Sequence, residues 1–266
     1  LKFSKEPIIN LAINWDLSPK IGIEGAITNG FGATPSTGIL SIPSANRLGY
    51  YAGIKYTPLA IDLDQRMFKR RENSLASGGI TVNTAMIPPS GTSQITGNID
   101  SSGNIFGSVG HSFSNVFQLD IINLGYFKNV PNNGGEQGRL VDAYANDKGL
   151  KTRVGGKFIL LSPLRNGPFW SAARFTVGRN QDEDSQQGYL FGELINTFEI
   201  NNRLALNINP KIAWSGISTP KGVGISANLK IFDNLEVIPE FNYADSKNGD
   251  SNGTLALRWL YNESST

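Results

Sequence analysis

The sequence predicts an all-β fold, an antiparallel up-and-down transmembrane β-barrel of about 12–14 strands. Apolar and polar residues alternate with a period of two along much of the chain, as in strands. Short and long connections also alternate, and the segments between them are longer than typical soluble strands. We interpret the 266 residues as one barrel domain, 1–266, with a possible missing strand or upstream region at its N-terminus.

The alternation is clearest near the two ends of the chain. In 9–17, every odd position is large and apolar and every even position is polar or small. In 204–214, Leu204, Leu206 and Ile208 share one face and Asn207 lies on the other. Asn, Gly, Thr and β-branched residues fill these segments, which disfavours helices.

The predicted strands are the stretches between turn and loop signals. They are 8–17, 20–31, 46–57, 59–67, 104–113, 116–128, 151–161, 168–180, 187–200, 203–214, 221–232, 235–245 and 251–261. Most can cross a bilayer on a tilt, which takes about 9–11 residues. The short connections predict turns at one rim, and the longer ones, including 68–103, predict external loops at the other.

The predicted strand count, thirteen, is odd. Bacterial single-chain barrels have an even number of strands. Either a strand precedes Leu1, or 79–87 is a further strand. A strand at 79–87 would interrupt the alternation of short and long connections, so the sequence favours a strand before Leu1.

The composition of the two faces favours a membrane barrel with its apolar face outward. The less apolar face carries mainly Gly, Ala, Ser, Thr and Asn, and charged residues make up only 17% of the chain. Aromatic residues gather near strand ends, as in the girdles at membrane interfaces. The predicted girdle is Trp15, Tyr56, Trp214, Phe232, Tyr243, Trp259 and Tyr261. The alternative is a soluble β-sandwich or barrel, in which these aromatics belong to a core.

The polar face predicts the lining of a lumen. The predicted pore-lining residues are Asn14, Glu24, Lys55, Arg174, Asn207, Asn209, Lys211, Asn228, Lys230, Glu240 and Arg258. Rings of one charge give ion selectivity. A set with both signs indicates either weak selectivity or a lumen closed by salt bridges.

Nothing in the sequence predicts a catalytic site. The one histidine, His111, would share a strand face with Val109 and Phe113, whereas Ser112 and Ser114 would point to the other face. A serine on a neighbouring strand could still pair with it. The sequence also lacks the common nucleotide, hydrolase and metalloprotease motifs.

We expect no metal, cofactor or nucleic acid. The chain has no cysteine, and its net charge is +2 with both signs dispersed. The acidic run 182–184 could bind a hard cation, but a solvated loop explains it better. The basic run 69–71 could pair with lipopolysaccharide phosphates, although a solvated loop is again the simpler interpretation.

Three segments, 188–197, 206–214 and 37–43, resemble an uncharacterised group of cyanobacterial outer-membrane barrel proteins. They read Gly-Tyr-Leu-Phe-Gly-Glu-Leu-Ile-Asn-Thr, Leu-Asn-Ile-Asn-Pro-Lys-Ile-Ala-Trp and Thr-Gly-Ile-Leu-Ser-Ile-Pro. The resemblance implies a barrel in a Gram-negative-type outer membrane, with further sequence upstream of Leu1. It implies no functional residue.

The sequence therefore predicts a non-enzymatic, passive channel for small hydrophilic solutes with weak charge selectivity. Its expected partners are outer-membrane lipid and lipopolysaccharide, with a possible homo-oligomer or envelope complex. The alternatives are a non-conducting structural or assembly barrel, a polysaccharide export barrel and a soluble β-rich binding module. A lumen packed with paired charges, or the 68–103 loop folded into it, would favour the structural role.

Overall fold

The computed structural model describes residues 10–17, 20–30, 44–57, 75–76, 78–79, 81–100, 105–126, 149–179, 188–215, 219, 221–245 and 252–259. Thirteen strands within these ranges form one closed barrel. They are β1 (Asn10–Asp16), β2 (Ile21–Gly30), β3 (Ser44–Tyr56), β4 (Ser93–Asp100), β5 (Ile105–Ser114), β6 (Phe117–Tyr126), β7 (Gly149–Leu161), β8 (Trp170–Arg179), β9 (Gly188–Glu199), β10 (Leu204–Ser215), β11 (Lys221–Phe232), β12 (Leu235–Asp245) and β13 (Asn252–Trp259). Among the described residues, no helix is long and apolar enough to span a bilayer.

The barrel closes by a parallel pairing of its first and last strands. Neighbouring strands in the sequence pair antiparallel, so an odd number leaves β1 and β13 running in the same direction. Their register places Leu11 opposite Leu255 and Trp15 opposite Trp259. The predicted range of 12–14 strands is confirmed, whereas the expectation of an even number is wrong.

The two faces of the sheet have opposite chemistry. Most large apolar side chains of the described strands point outward: Ile13 is 58% exposed and Ile225 is 45% exposed. Their sequence neighbours Ala12 and Ser226 point inward and are buried. Alternation along each strand thus gives a continuous apolar outer surface and a more polar interior.

The predicted strand 59–67 lies outside the described residues. The strand that pairs with β3 on its second edge is β4, which belongs to the predicted 68–103 loop. The apolar side chains on the outer face of β4 are Ile95 and Ile99, separated by Gly97. Because the alternation of apolar and polar residues is weak here, β4 was not predicted from the sequence.

The described residues of 79–87 form no strand. They lie inside the barrel, where Val82 and Met86 are fully buried. The alternative count of strands that relied on this range is therefore wrong. Both edges of β1 are paired, one with β2 and the other with β13.

The connections divide between two rims. One rim, which we call the turn rim, holds the strand ends that are joined through 17–20, 57–92, 115–116, 162–169, 200–203 and 233–234. The other, the loop rim, holds the strand ends that are joined through 31–43, 101–104, 127–148, 180–187, 216–220 and 246–251. Two connections break the predicted strict alternation: 57–92 is long although it starts and ends at the turn rim, and 101–104 is short at the loop rim.

The parallel closure can be tested by crosslinking, because the chain has no cysteine of its own. Ile13 and Leu257 are register partners on β1 and β13. Paired positions lie about 5 Å apart, within reach of a disulfide. We expect mild oxidation of the Ile13→Cys/Leu257→Cys variant to give an intramolecular crosslink, seen as a mobility shift on a non-reducing denaturing gel.

The matched control is Ile13→Cys/Val237→Cys. Val237 is the partner of Leu257 on β12, so it lies one strand further from Ile13, at about 10 Å. A crosslink that forms in both folded pairs, or in neither, would contradict the parallel closure.

Candidate functional site

The predicted pore-lining residues lie on the inner face of the barrel. Seven of them are buried: Arg174, Asn207, Asn209, Lys211, Asn228, Glu240 and Arg258. Glu24, Lys55 and Lys230 are half-buried. Asn14 occupies a register position between Glu24 and Arg258, and its side chain is outside the described part of the chain. That these residues line a solute path stays a prediction.

The predicted girdle residues occupy the outer face near both rims. Trp15, Tyr56, Phe232 and Trp259 are exposed near the turn rim. Trp214 is exposed and Tyr243 is half-buried near the loop rim. Tyr261 lies outside the described residues. Their contact with a membrane interface stays a prediction.

Several charged inner-face residues are absent from the predicted lining. Asp120, Arg153, Lys157 and Glu193 are all buried. The alternation of apolar and polar residues along β7 could have identified two of these charged residues. Arg153 and Lys157 share one face of β7, and the exposed Val154 lies on the other. With these residues, the wall formed by β6 to β9 is as densely charged as the wall formed by β10 to β13.

The barrel interior is occupied by part of the 57–92 connection. We call the described residues of 75–92 the lumen segment. Between Val82 and Ile87 every side chain is buried, and so is Leu75. The segment returns to the turn rim at its C-terminal end, where the Gly91 N–H donates to the Ser112 carbonyl at 2.7 Å.

An apolar cluster holds one part of the lumen segment. Leu75, Ala85 and Met86 pack with the buried Trp170, Ala172, Ile195 and Ala205 of β8, β9 and β10. The Trp170 indole N–H donates to Glu199 at 2.7 Å, which satisfies its polar atom at the edge of the cluster. Burial of these side chains stabilises the segment at about 25 cal/mol per Å² of apolar area removed from water.

Glu240 on β12 binds another part of the segment. Its Oε2 accepts from both the backbone N–H and the hydroxyl of Thr81, each at 2.7 Å. Asn242 also donates to the Thr81 hydroxyl, at 2.8 Å, and accepts from the Lys211 ammonium at 2.5 Å. The wall is close enough that a Cβ on Gly79 would come within 1.8 Å of Glu240 Oε1.

Strands β9 and β10 hold the middle of the segment. Glu193 accepts from the Asn83 amide at 2.7 Å, and Asn209 donates to the Asn83 carbonyl at 2.8 Å. The Thr197 hydroxyl accepts from the Ala85 N–H at 2.9 Å. Three side chains of the wall thus satisfy polar groups that the segment buries.

Two cations of the wall donate to carbonyl groups of the segment. The Lys157 ammonium on β7 donates to Met86 at 2.5 Å. The Arg258 guanidinium on β13 donates to Gly78. The contacts of the segment therefore extend across the lumen, from β13 at one side to β7 at the other.

Ion pairs between wall residues hold several charged side chains of the inner face in place. Arg174 and Asp120 are 3.1 Å apart, and Arg258 and Glu236 are 3.5 Å apart, with all four side chains almost inaccessible. Buried ion pairs are weak evidence for stability, because desolvation offsets their attraction. Their presence shows that charges of both signs are held in pairs on the inner face.

His111 takes the outward face shared with Val109 and Phe113, as expected. A serine from the neighbouring strand does pair with it: the Ser93 hydroxyl lies 2.8 Å from His111 Nδ1. The ring also makes an edge contact with Phe113, at 4.6 Å between centroids. The absence of catalysis stays a prediction.

The acidic run 182–184 and the basic run 69–71 lie outside the described residues. Within the described ranges, no group of three or more His, Cys, Asp or Glu residues is placed to hold a metal ion.

Comparisons with known proteins identify no family. No protein-family model matches the chain, and no curated protein matches it. A solved structure, the outer membrane channel DcaP of Acinetobacter baumannii, aligns over 91% of this chain and 80% of that chain, with 10% identity and a TM-score of 0.34. The resemblance to the cyanobacterial group stays a prediction.

Loss of the Glu240 carboxylate should loosen the lumen segment. Glu240→Ala leaves the Thr81 N–H without its acceptor, and an unsatisfied buried group costs about 1–3 kcal/mol. We expect the amides of 81–87 to exchange hydrogen about ten-fold faster or more, measured by mass spectrometry. The control is Lys230→Ala, whose ammonium pairs with Asp233 at the turn rim. Equal exchange in both variants and the wild-type chain would contradict this role.

Proposed function

We propose that this chain is an outer-membrane β-barrel that forms a gated channel for small hydrophilic solutes, with the lumen segment as its gate. The observation that carries the proposal is the position of the segment: its described residues lie inside the barrel and are held largely by hydrogen bonds to wall side chains. Water can replace such bonds when the segment leaves, because their net contribution is only about 0.5–1.5 kcal/mol each.

The outer surface supports a membrane location. A sheet whose exposed face carries Ile13, Ile54, Phe175, Ile225 and Leu255 suits contact with lipid. Its polar and charged side chains point inward, which is the reverse of a soluble barrel. This pattern disfavours the soluble binding module.

The inner surface supports passage of small polar solutes once the segment has left. Charges of both signs lie on it, among them Glu193, Lys211, Glu240 and Arg258. Such a mixture gives weak charge selectivity. The described inner face is dominated by charged, amide and small side chains, which gives less support to a polysaccharide export barrel.

A non-conducting structural or assembly barrel is the second candidate. The lumen segment and the buried pairs Arg174–Asp120 and Arg258–Glu236 favour it, because they fill and crosslink the interior. Partners of either barrel would be outer-membrane lipid and lipopolysaccharide, with assembly into an oligomer or envelope complex as a further proposal.

Conductance separates the two candidates. We expect the wild-type chain in planar bilayers to be mainly closed. Replacement of 60–90 by a short Gly/Ser linker should give stable open channels, because both ends of the 57–92 connection lie at the turn rim on paired strands. The control is replacement of 180–187 by the same linker, which should leave the channel closed. A folded 60–90 variant that never conducts would favour the structural barrel.

Membrane embedding predicts a depth-dependent cost for charge on the outer face. Ile225 lies at mid-strand, and an Arg at the bilayer midplane costs about 2–4 kcal/mol. Phe232 lies at the turn rim, where the cost falls to about 0–1 kcal/mol. We expect Ile225→Arg, far more than Phe232→Arg, to lower the free energy of unfolding in lipid vesicles. Equal effects would argue against a bilayer around this barrel.

A further inference from the structure

The wall recognises the lumen segment largely through its main chain. Glu240 accepts from the Thr81 N–H, Asn209 donates to the Asn83 carbonyl and Thr197 accepts from the Ala85 N–H. The bonded residues 81, 83 and 85 are every second residue, as in strand pairing. Here the partners are side chains from β12, β10 and β9, because the segment crosses these strands instead of running beside them.

The two cations extend the same recognition. Lys157 and Arg258 donate to the carbonyls of Met86 and Gly78, which are again main-chain groups. Any amino-acid sequence presents such groups. A wall that forms hydrogen bonds with main-chain groups can therefore also bind peptides of other sequences.

The apolar cluster adds one side-chain preference. Met86 is fully buried in this cluster, together with Trp170, Ala172, Ile195 and Ala205 of the wall. Main-chain hydrogen bonds combined with one side-chain pocket are the usual means by which proteins bind extended peptides.

A segment that only filled the lumen would not need the buried charged residues of this wall. Apolar packing closes an interior without the desolvation cost of buried Glu193, Glu240 and Lys157. These groups are instead directed at donors and acceptors of the segment.

We propose that the lumen wall is a binding site for peptides, and that the lumen segment occupies it as an internal ligand. The ligand class is a short peptide whose main chain meets Glu240, Asn209, Thr197 and Lys157 and whose apolar side chain joins the buried cluster around Trp170. This proposal rests on the gated channel, for which it names peptides as a solute class, and such peptides compete with the gate.

Direct binding tests the proposal. The probe is a fluorescent synthetic peptide with the sequence of residues 78–90, titrated into the detergent-solubilised variant in which 60–90 is replaced by the linker. We expect saturable binding by fluorescence anisotropy, and competition by the unlabelled peptide. The wild-type barrel, with its site occupied, should bind at least ten-fold more weakly.

Chemical changes to the peptide separate main-chain recognition from general stickiness. N-methylation at the position of Ala85 keeps every side chain but removes the donor to Thr197, and should weaken binding about ten-fold. Met86→Asp in the peptide should abolish binding, because it buries a charge in the apolar cluster around Trp170. Thr197→Val in the barrel should weaken the unmodified peptide about ten-fold and leave the N-methylated peptide unchanged.

A second variant avoids the excision. Gly79→Ala places a Cβ 1.8 Å from Glu240 Oε1 and 2.7 Å from the Val82 carbonyl oxygen, so the contact between Glu240 and the segment must open while every wall residue keeps its identity. We expect this full-length chain to bind the peptide, with its fold checked by gel mobility and circular dichroism.

The outcomes are distinguishable. A folded excision variant that conducts but binds no peptide overturns the peptide site and leaves the channel standing. One that binds the peptide without conducting supports the binding site but overturns the channel, and with it peptides as a solute class. Equal binding of the N-methylated and unmodified peptides overturns main-chain recognition.

Discussion

Closure of the sheet is the constraint on which the other features of this structure depend. A barrel in lipid must satisfy every backbone N–H and C=O within the sheet, because hydrocarbon offers no partner. With thirteen strands this is possible only if β1 and β13 pair in parallel, as Leu11 and Leu255 do. Closure then separates two environments. Residues such as Ile225 face outward, and residues such as Glu240 face an interior that has its own polar groups to satisfy.

That interior explains the position of the lumen segment. An empty lumen lined by Glu193, Glu240, Lys157 and Arg258 would have to be filled with water. In this structure the lumen segment supplies the partners instead, through its own backbone and through Asn83. The interaction is reciprocal, because a backbone buried away from water also requires partners. Charged groups that bind a segment by hydrogen bonds can also release it to water, which is the property that a gate needs.

The sequence predicted the strands that alternate strongly and missed the features that depend on distant contacts. β10 and β11 were predicted almost to the residue, because every second side chain is apolar and faces outward. β4 was missed because Ile95 and Ile99 are its only large outward side chains. The range 79–87 alternates like a strand, but Met86 packs against Trp170 and Ile195, which no local spacing reveals. The inward positions of Lys211 and Glu240 were predictable from alternation, whereas their bonding to the segment or to Asn242 was not.

The central claim is that the lumen segment lies against the wall of β9 in the native barrel, and a disulfide tests it most directly. Ala85 donates to Thr197 at 2.9 Å, and Ala213 lies on the inner face of β10 toward the loop rim. In lipid vesicles, oxidation should crosslink Ala85→Cys/Thr197→Cys rapidly and Ala85→Cys/Ala213→Cys hardly at all, as read from the mobility of the unfolded chain. Failure of the first pair to crosslink in a folded barrel, or equal crosslinking of both pairs, would contradict the account.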